Sequence, residues 1–366
     1  MIRSSGKSWR HGPTGACSHT VFGSSAQGGG FMSYGYYPGC SLERNAGAYH
    51  SSLMAVARPL GLQFDEIQDW NCCGATEFIA VNRLQAYALV GRNLALAAQQ
   101  MIPLQNGSVA KKPDLVAPCS ACFLNLSKVN RYLGEDEALT IKVNSALEAG
   151  GLSYQAGSLR VRHLLDVMVN DVGYERIAAQ VTRTLGALRL APYYGCLVVR
   201  PGFEGRFDDG EYPTSLDKLL RALGAKVVDF PLKAHCCGGH MTQISADVAL
   251  DLIRRLLKNA ADYEADMIVT LCPMCQLNLD AFQEAVNERF GTNYQIPVLF
   301  FTQLMGLAFG LTPEAVGIGK ELINARPALA KLGVAPPPEA EPVPTKRRRR
   351  NDKSLPMPQM PQEEQR

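Results

Sequence analysis

DLVAPCSACFLNL (residues 114–126) and DMIVTLCPMCQLNL (residues 266–279) spell one pattern twice: an aspartate, an apolar run, C-x-x-C, and a Leu-Asn-Leu turn. A short apolar run that opens into turn residues reads as a buried strand, so each C-x-x-C falls where a strand hands over to a helix. Finding the unit twice in 366 residues marks an internal duplication. The length allows each copy a core of its own.

The same order of elements surrounds both copies. In the first half YGYY reads as a strand, AYHSSLMAVARPLG as a helix closed by Gly61, LQFDEI as a strand, EFIAVNRLQAYALVGRNLALAAQ as one long helix and DLVAP as a strand. In the second, APYYGCLVV is a strand, a helix begins near Pro213, AKVVDF is a strand, ADVALDLIRRLLKNAAD a helix and DMIVTL a strand. Such alternation predicts an α/β fold. Two domains are expected, at 32–136 and 191–335, joined by a mainly helical connector at 137–190. Residues 1–31, Gly- and Ser-rich without an apolar signal-peptide core, and the Pro-rich tail 336–366 are expected to be disordered. Cys17 in the leader is read as an idle thiol.

The net charge of +3 misleads, because Lys346–Arg350 alone supplies five positive charges and leaves the rest of the chain at −2. A nucleic-acid surface spread over the fold is therefore not expected. The basic run is read as a solvated tail. No stretch reaches the roughly 18 uninterrupted apolar residues of a membrane helix, and the expected location is the cytoplasm.

The remaining ten cysteines form two arrays: Cys40, Cys72-Cys73 and Cys119-x-x-Cys122, then Cys196, Cys236-Cys237 and Cys272-x-x-Cys275. Without an export signal, metal or redox chemistry is a better reading than disulfide staples. Every cysteine lies at a predicted strand end or helix start. Those ends share a crevice in an open α/β sheet, and a helix N-terminus favours the thiolate that binds metal. Gly74 and Gly238 follow the paired cysteines, where a missing Cβ lets the backbone pass close to an inorganic core. Four thiolates would close a tetrahedral zinc site and leave one per array surplus, whereas five suit an iron–sulfur cluster in which a thiolate bridges two irons. Zinc in one or both arrays stays open as the structural alternative. Cluster-free thiol exchange ranks last, because adjacent cysteines have poor disulfide geometry.

With its segments YYPGCSLE, NCCGATEF, VRHLLDV, YYGCLVVRPG, HCCGG, CPMCQLNLD and PVLFFTQLMGLAFGL, the chain over about 33–318 resembles the duplicated CCG cysteine-rich domains of the heterodisulfide reductase B subunits and their sulfur-oxidation relatives. The resemblance implies two pseudo-symmetric Rossmann-like domains. It also implies two noncubane [4Fe-4S] clusters held by the ten cysteines, facing a cleft where a disulfide is split or formed in two one-electron steps. The substrate would be of the coenzyme M–coenzyme B type or a sulfur-carrier disulfide. Implied partners are a flavin-bearing A subunit and a ferredoxin-like iron–sulfur C subunit, since no fused ferredoxin run is present. The 45 residues between Cys73 and Cys119 exceed the usual spacing, an excess assigned to LQNGSVAKK. An alternative within the wider family is an electron-transfer or anchor subunit of a succinate dehydrogenase-type complex, with one cluster and a structural zinc.

His235, abutting the second cysteine pair, and Arg200, just beyond Cys196, are the candidate catalytic residues, one as proton donor and the other as anion clamp. His240 also flanks the second pair. His163 is read as a satisfied helix histidine and His50 as a core residue. IPVLFFTQLMGLAFGL is read as a buried strand and helix.

Overall fold

The computed structural model describes residues 31–75, 78–101, 112–200 and 207–333. Cys17, the tail, nearly all of the leader and most of LQNGSVAKK lie outside the described residues.

The first half contributes β1 (Met32–Tyr36), α1 (Gly47–Ala57), β2 (Leu62–Glu66), α2 (Arg83–Met101), β3 (Asp114–Ala117), α3 (Ser120–Glu135) and β4 (Arg160–His163). The second contributes β5 (Arg189–Tyr193), α4 (Ser215–Ala222), β6 (Lys226–Val227), α5 (Ala246–Asp262), β7 (Met267–Thr270), α6 (Pro273–Ala281), β8 (Val298–Phe300) and α7 (Phe301–Ala308). All pairings are parallel, in the order β2-β1-β3-β4 and then β6-β5-β7-β8. One topology is therefore built twice. Strands buried on both faces read as continuous apolar runs, and Leu115, Val116 and Ala117 in β3, like Met267, Ile268 and Val269 in β7, are fully buried.

Several boundaries differ from the expected ones. The 137–190 segment is not only a connector, because it supplies β4, the fourth strand of the first sheet. Its Arg162 is 4% exposed and lies inside the fold because Asp114, Asp166 and Asp171 surround its guanidinium. A buried cation survives only with such partners. The long helix expected after Glu77 breaks at Asn82, whose side chain accepts the Gln85 N–H and caps α2. APYYGCLVV is a strand only as far as Tyr193, because Gly195 turns at φ 68°, and AKVVDF shrinks to the two residues of β6.

The halves share a further unit that marks α1 and α4 as equivalents: Gly47-x-Tyr49-x-x-Ser52-Leu53 and Gly210-x-Tyr212-x-x-Ser215-Leu216, each running on to Leu-Gly at Leu60-Gly61 and Leu223-Gly224. α1 then crosses to the other half. Its Tyr49 stacks on Phe300 at 4.3 Å with ring planes 6° apart, and Ser52 meets Thr302 at 2.6 Å, all fully or nearly fully buried. PVLFFTQLMGLA is buried throughout as β8 and α7. Among the described residues no helix is long and apolar enough to cross a membrane.

Candidate metal centre

In the order 2-1-3-4 the chain reverses direction between β1 and β3, and loops from the C-terminal ends of those two strands open a crevice. Cys40 follows β1 and Cys119 follows β3; Cys196 and Cys272 do the same after β5 and β7. The sulfurs of Cys40 and Cys72 are 3.6 Å apart and those of Cys73 and Cys122 3.4 Å, with Cys237 and Cys275 at 3.5 Å. Cys196 bonds Cys236 as Cys40 bonds Cys72. Each array is thus a row, running from the first cysteine through the pair to the C-x-x-C.

The rows join. Cys119 and Cys272, the leading cysteines of the two C-x-x-C turns, are near enough that the Cys119 thiol stabilises the Cys272 thiolate. Cys272 is held well below the usual thiol range by that donor, by Cys275 and by backbone N–H groups at the start of α6, and Cys119 is correspondingly pushed up. At the second position of each row the donors are again thiols. Hydrogen bonds from Cys40 and Cys73 pull Cys72 down to about 2, and those from Cys196 and Cys237 do the same for Cys236. The Gly74 and Gly238 N–H groups assist.

The Leu-Asn-Leu asparagines clamp the paired cysteines. Asn125 donates its amide to the Cys73 and Ala75 carbonyls, and Asn278 donates to those of Cys237 (3.1 Å) and Gly239 (2.7 Å). Tyr37 donates to the Asn71 carbonyl at 2.7 Å and Tyr193 to that of His235 at 2.8 Å, in each case the residue just before the pair. The glycines pressed against sulfur are Gly39 and Gly195. A Cβ there would stand 2.9 Å from Cys122 Sγ and 2.8 Å from Cys275 Sγ. Gly74 and Gly238 also have positive φ, but a Cβ on them would meet Phe78 and Ala249, so they serve the approach of the following helix. None of these tyrosines, asparagines or sulfur-facing glycines stands out from the sequence as a site residue, although the repeats Tyr-x-Gly-Cys and Leu-Asn-Leu carry the signal.

His163 is not in a helix. It ends β4 in register with Ala117, and its fully buried ring stands T-shaped to Phe123 and stacked on Phe207. Nδ1 accepts the Leu165 N–H, which leaves the proton on Nε2, and that atom faces the Pro118 carbonyl region without a hydrogen bond of good geometry. Burial lowers its pKa to about 4, against the pull of Cys272. Ser120 Oγ and Thr270 Oγ1, beside the two C-x-x-C turns, are also buried with no hydrogen-bond partner among the described residues. Arg200 is half-exposed and meets Glu211 at 3.3 Å, while His235 is exposed. His50 is half-buried and hydrogen-bonds Tyr36.

All five cysteines of the second array line one cavity of about 220 Å³, whose other walls include Leu197, Gly238, Gly239, Met241, Ile244, Met274 and His240. A tetrahedral zinc would take four of the second array's five thiols and leave one over. Five soft donors around one largely apolar cavity, with orphaned donors beside them, suit a polynuclear sulfur-rich group instead.

A four-strand parallel unit, used twice and gathering five thiols each time, defines a tandem cysteine-rich α/β protein. The family described as CCG cysteine-rich domain matches residues 34–127 and 190–280. The chain belongs to this family, in the branch that includes the heterodisulfide reductase B subunits. It is 34% identical over 300 residues to the 8-methylmenaquinol:fumarate reductase membrane anchor subunit of Wolinella succinogenes, covering 82% of this chain and 99% of that one. It is 32% identical over 265 residues to the B subunit of the ferredoxin:CoB-CoM heterodisulfide reductase of Methanosarcina mazei, covering 72% and 84%. A solved structure of a hypothetical protein from Helicobacter pylori shares the fold, with a TM-score of 0.62 and 14% identity over 80% of this chain. The chain spans about half the length of that structure.

Proposed function

We propose that the chain is the iron–sulfur subunit of a heterodisulfide reductase-like complex, with one noncubane [4Fe-4S] cluster in each array. The observation that carries this reading is the convergence of five thiols on one cavity in the second half, with the matching row in the first. Cys196, Cys236, Cys237, Cys272 and Cys275 would hold one cluster and Cys40, Cys72, Cys73, Cys119 and Cys122 the other. When bound, the clusters would supply one electron each, so that a disulfide takes up two electrons and two protons to give two thiols, or the reverse.

The protein's own contribution is positioning and proton supply. Tyr37, Tyr193, Asn125 and Asn278 fix the cysteine-pair loops, as partners behind the ligands do in metal sites. Leu197, Met241, Ile244 and Met274 make the second cavity apolar. His235 and His240 flank its cysteine pair and supply protons, and Arg200 meets an anionic substrate by exchanging Glu211 for it. Electrons pass through a flavin-bearing and a ferredoxin-like partner; the names of the Methanosarcina relatives include ferredoxin as electron donor.

The identity to the Wolinella anchor protein favours a second reading, an electron-transfer subunit of a quinol- or succinate-linked complex with iron–sulfur in one array and zinc in the other. Iron, acid-labile sulfide and zinc per chain separate the two. About eight irons with a paramagnetic signal that responds to added thiol or disulfide support the first. About four irons with one zinc and no response support the second.

A further inference from the structure

Beneath the Cys119–Cys272 joint lies Tyr49, a residue no cysteine motif includes. Its hydroxyl is 3.3 Å from the Pro118 carbonyl and 3.3 Å from the Leu271 carbonyl. Those carbonyls belong to the peptides that lead into Cys119 and Cys272, so one hydroxyl hydrogen is shared between the last backbone acceptors of both arrays. Tyr49 is fully buried, which keeps the hydroxyl protonated, and its ring is clamped by Phe300 at 4.3 Å and Phe301 at 6.0 Å, both from the other half. Its repeat counterpart Tyr212 is 48% exposed and bonds Asp229. Only one half supplies the shared donor.

We infer that Tyr49 is a positioning residue that ties the two arrays into one redox unit. The inference rests on the two-cluster reading above. The hydroxyl fixes the dipoles of the Pro118–Cys119 and Leu271–Cys272 peptides and places one partial positive charge beside both. Hydrogen bonds and local charge around the ligands set a cluster's potential. Removing the donor takes the hydroxyl's partial positive charge from both carbonyls, leaving Pro118 only the poorly aligned His163 Nε2–H, which favours the oxidised, less negative state of both clusters.

The experiment is a redox titration of the anaerobically purified full-length protein followed by electron paramagnetic resonance, with iron counted in parallel. Tyr49→Phe keeps the ring on Phe300 and removes only the oxygen. The expected result is unchanged iron and a fall of both midpoint potentials, of order tenfold in each reduction equilibrium, or about 59 mV for a one-electron couple. Tyr212→Phe leaves both potentials where they were. Ser52→Ala, which removes the buried hydrogen bond from α1 to Thr302 in α7, also leaves them; a shift there equal to that of Tyr49→Phe would overturn the inference in favour of general interface strength. Unmoved potentials in Tyr49→Phe, or movement of only one, also overturn it. If Tyr49→Phe loses iron, 3-fluorotyrosine placed at position 49 decides: a stronger donor raises both potentials, and no change sinks the idea. A wild-type protein without iron–sulfur would instead overturn the two-cluster reading itself.

Discussion

Cys119 and Cys272, equivalent residues of the two repeats, meet each other in the buried middle of the fold, side chain against side chain. Ten sulfurs therefore form one line, exposed or half-buried at Cys40 and Cys196 and buried in the middle. Position along the line predicts the reach of a substitution. Cys40→Ser should disturb the iron of the first array alone and leave the second array's signal intact. Cys119→Ser should lower iron in the first array and also shift the signal of the second. Iron counts with paramagnetic resonance on both variants make the check, and equal effects of the two would contradict the line.

Asn278 carries a second prediction. It is 3% exposed and satisfies two carbonyls of the second cysteine loop. Asn278→Ala leaves both acceptors buried and unpaired, at a cost of about 1–3 kcal/mol. Urea unfolding of the metal-free protein should show that loss, and the loaded protein should release iron faster. Asn278→Asp should be worse, because its carboxylate turns acceptors toward acceptors.

Gly39 and Gly195 predict half-site defects. An alanine at either has a positive φ to tolerate and a Cβ pressed on sulfur, at 2.9 Å from Cys122 or 2.8 Å from Cys275. Each variant should hold about half the wild-type iron. Gly151→Ala is the control, since its φ is also positive (67°) but nothing among the described residues lies within 4 Å of the added carbon. It should cost about 1 kcal/mol of stability and no iron.

His163 makes stability depend on pH. Its folded pKa is about 4 against the ordinary 6.5, so the fold holds the neutral ring and the unfolded chain takes up the proton first. Its contribution is complete above pH 6.5 and is lost as pH falls from there toward 4, by up to about 3 kcal/mol. Denaturant midpoints of the metal-free protein across that range should fall more steeply than those of His163→Phe. Parallel slopes would remove His163 from the account.

The sequence is most legible where one residue's chemistry suffices. Apolar runs announce β3 and β7, and the duplicated cysteines announce the crevice. β4 is hidden because RVRH alternates charge with apolar residues as an exposed strand does, and the burial of Arg162 depends on Asp114, Asp166 and Asp171 from elsewhere in the chain. His163 is misread as helical for the same reason, since its strand cannot be seen locally. Gly74 and Gly238 draw the eye by adjacency to cysteine, yet Gly39 and Gly195 face the sulfurs, because a turn folds the C-x-x-C back over them. Tyr49 has no local signal at all: its partners lie 69 and 222 residues away.

The repeated unit Gly-x-Tyr-x-x-Ser-Leu carries a last consequence. Two identical protomers facing across a two-fold axis place each residue opposite its own copy, an isologous arrangement, and here that relation is drawn within a single chain. Linking the copies makes their encounter intramolecular and independent of concentration. It also frees them to diverge: Tyr49 takes the place between the repeat-equivalent Pro118 and Leu271 carbonyls, and Tyr212 lies at the surface with the Lys233 ammonium 3.7 Å from its ring centroid.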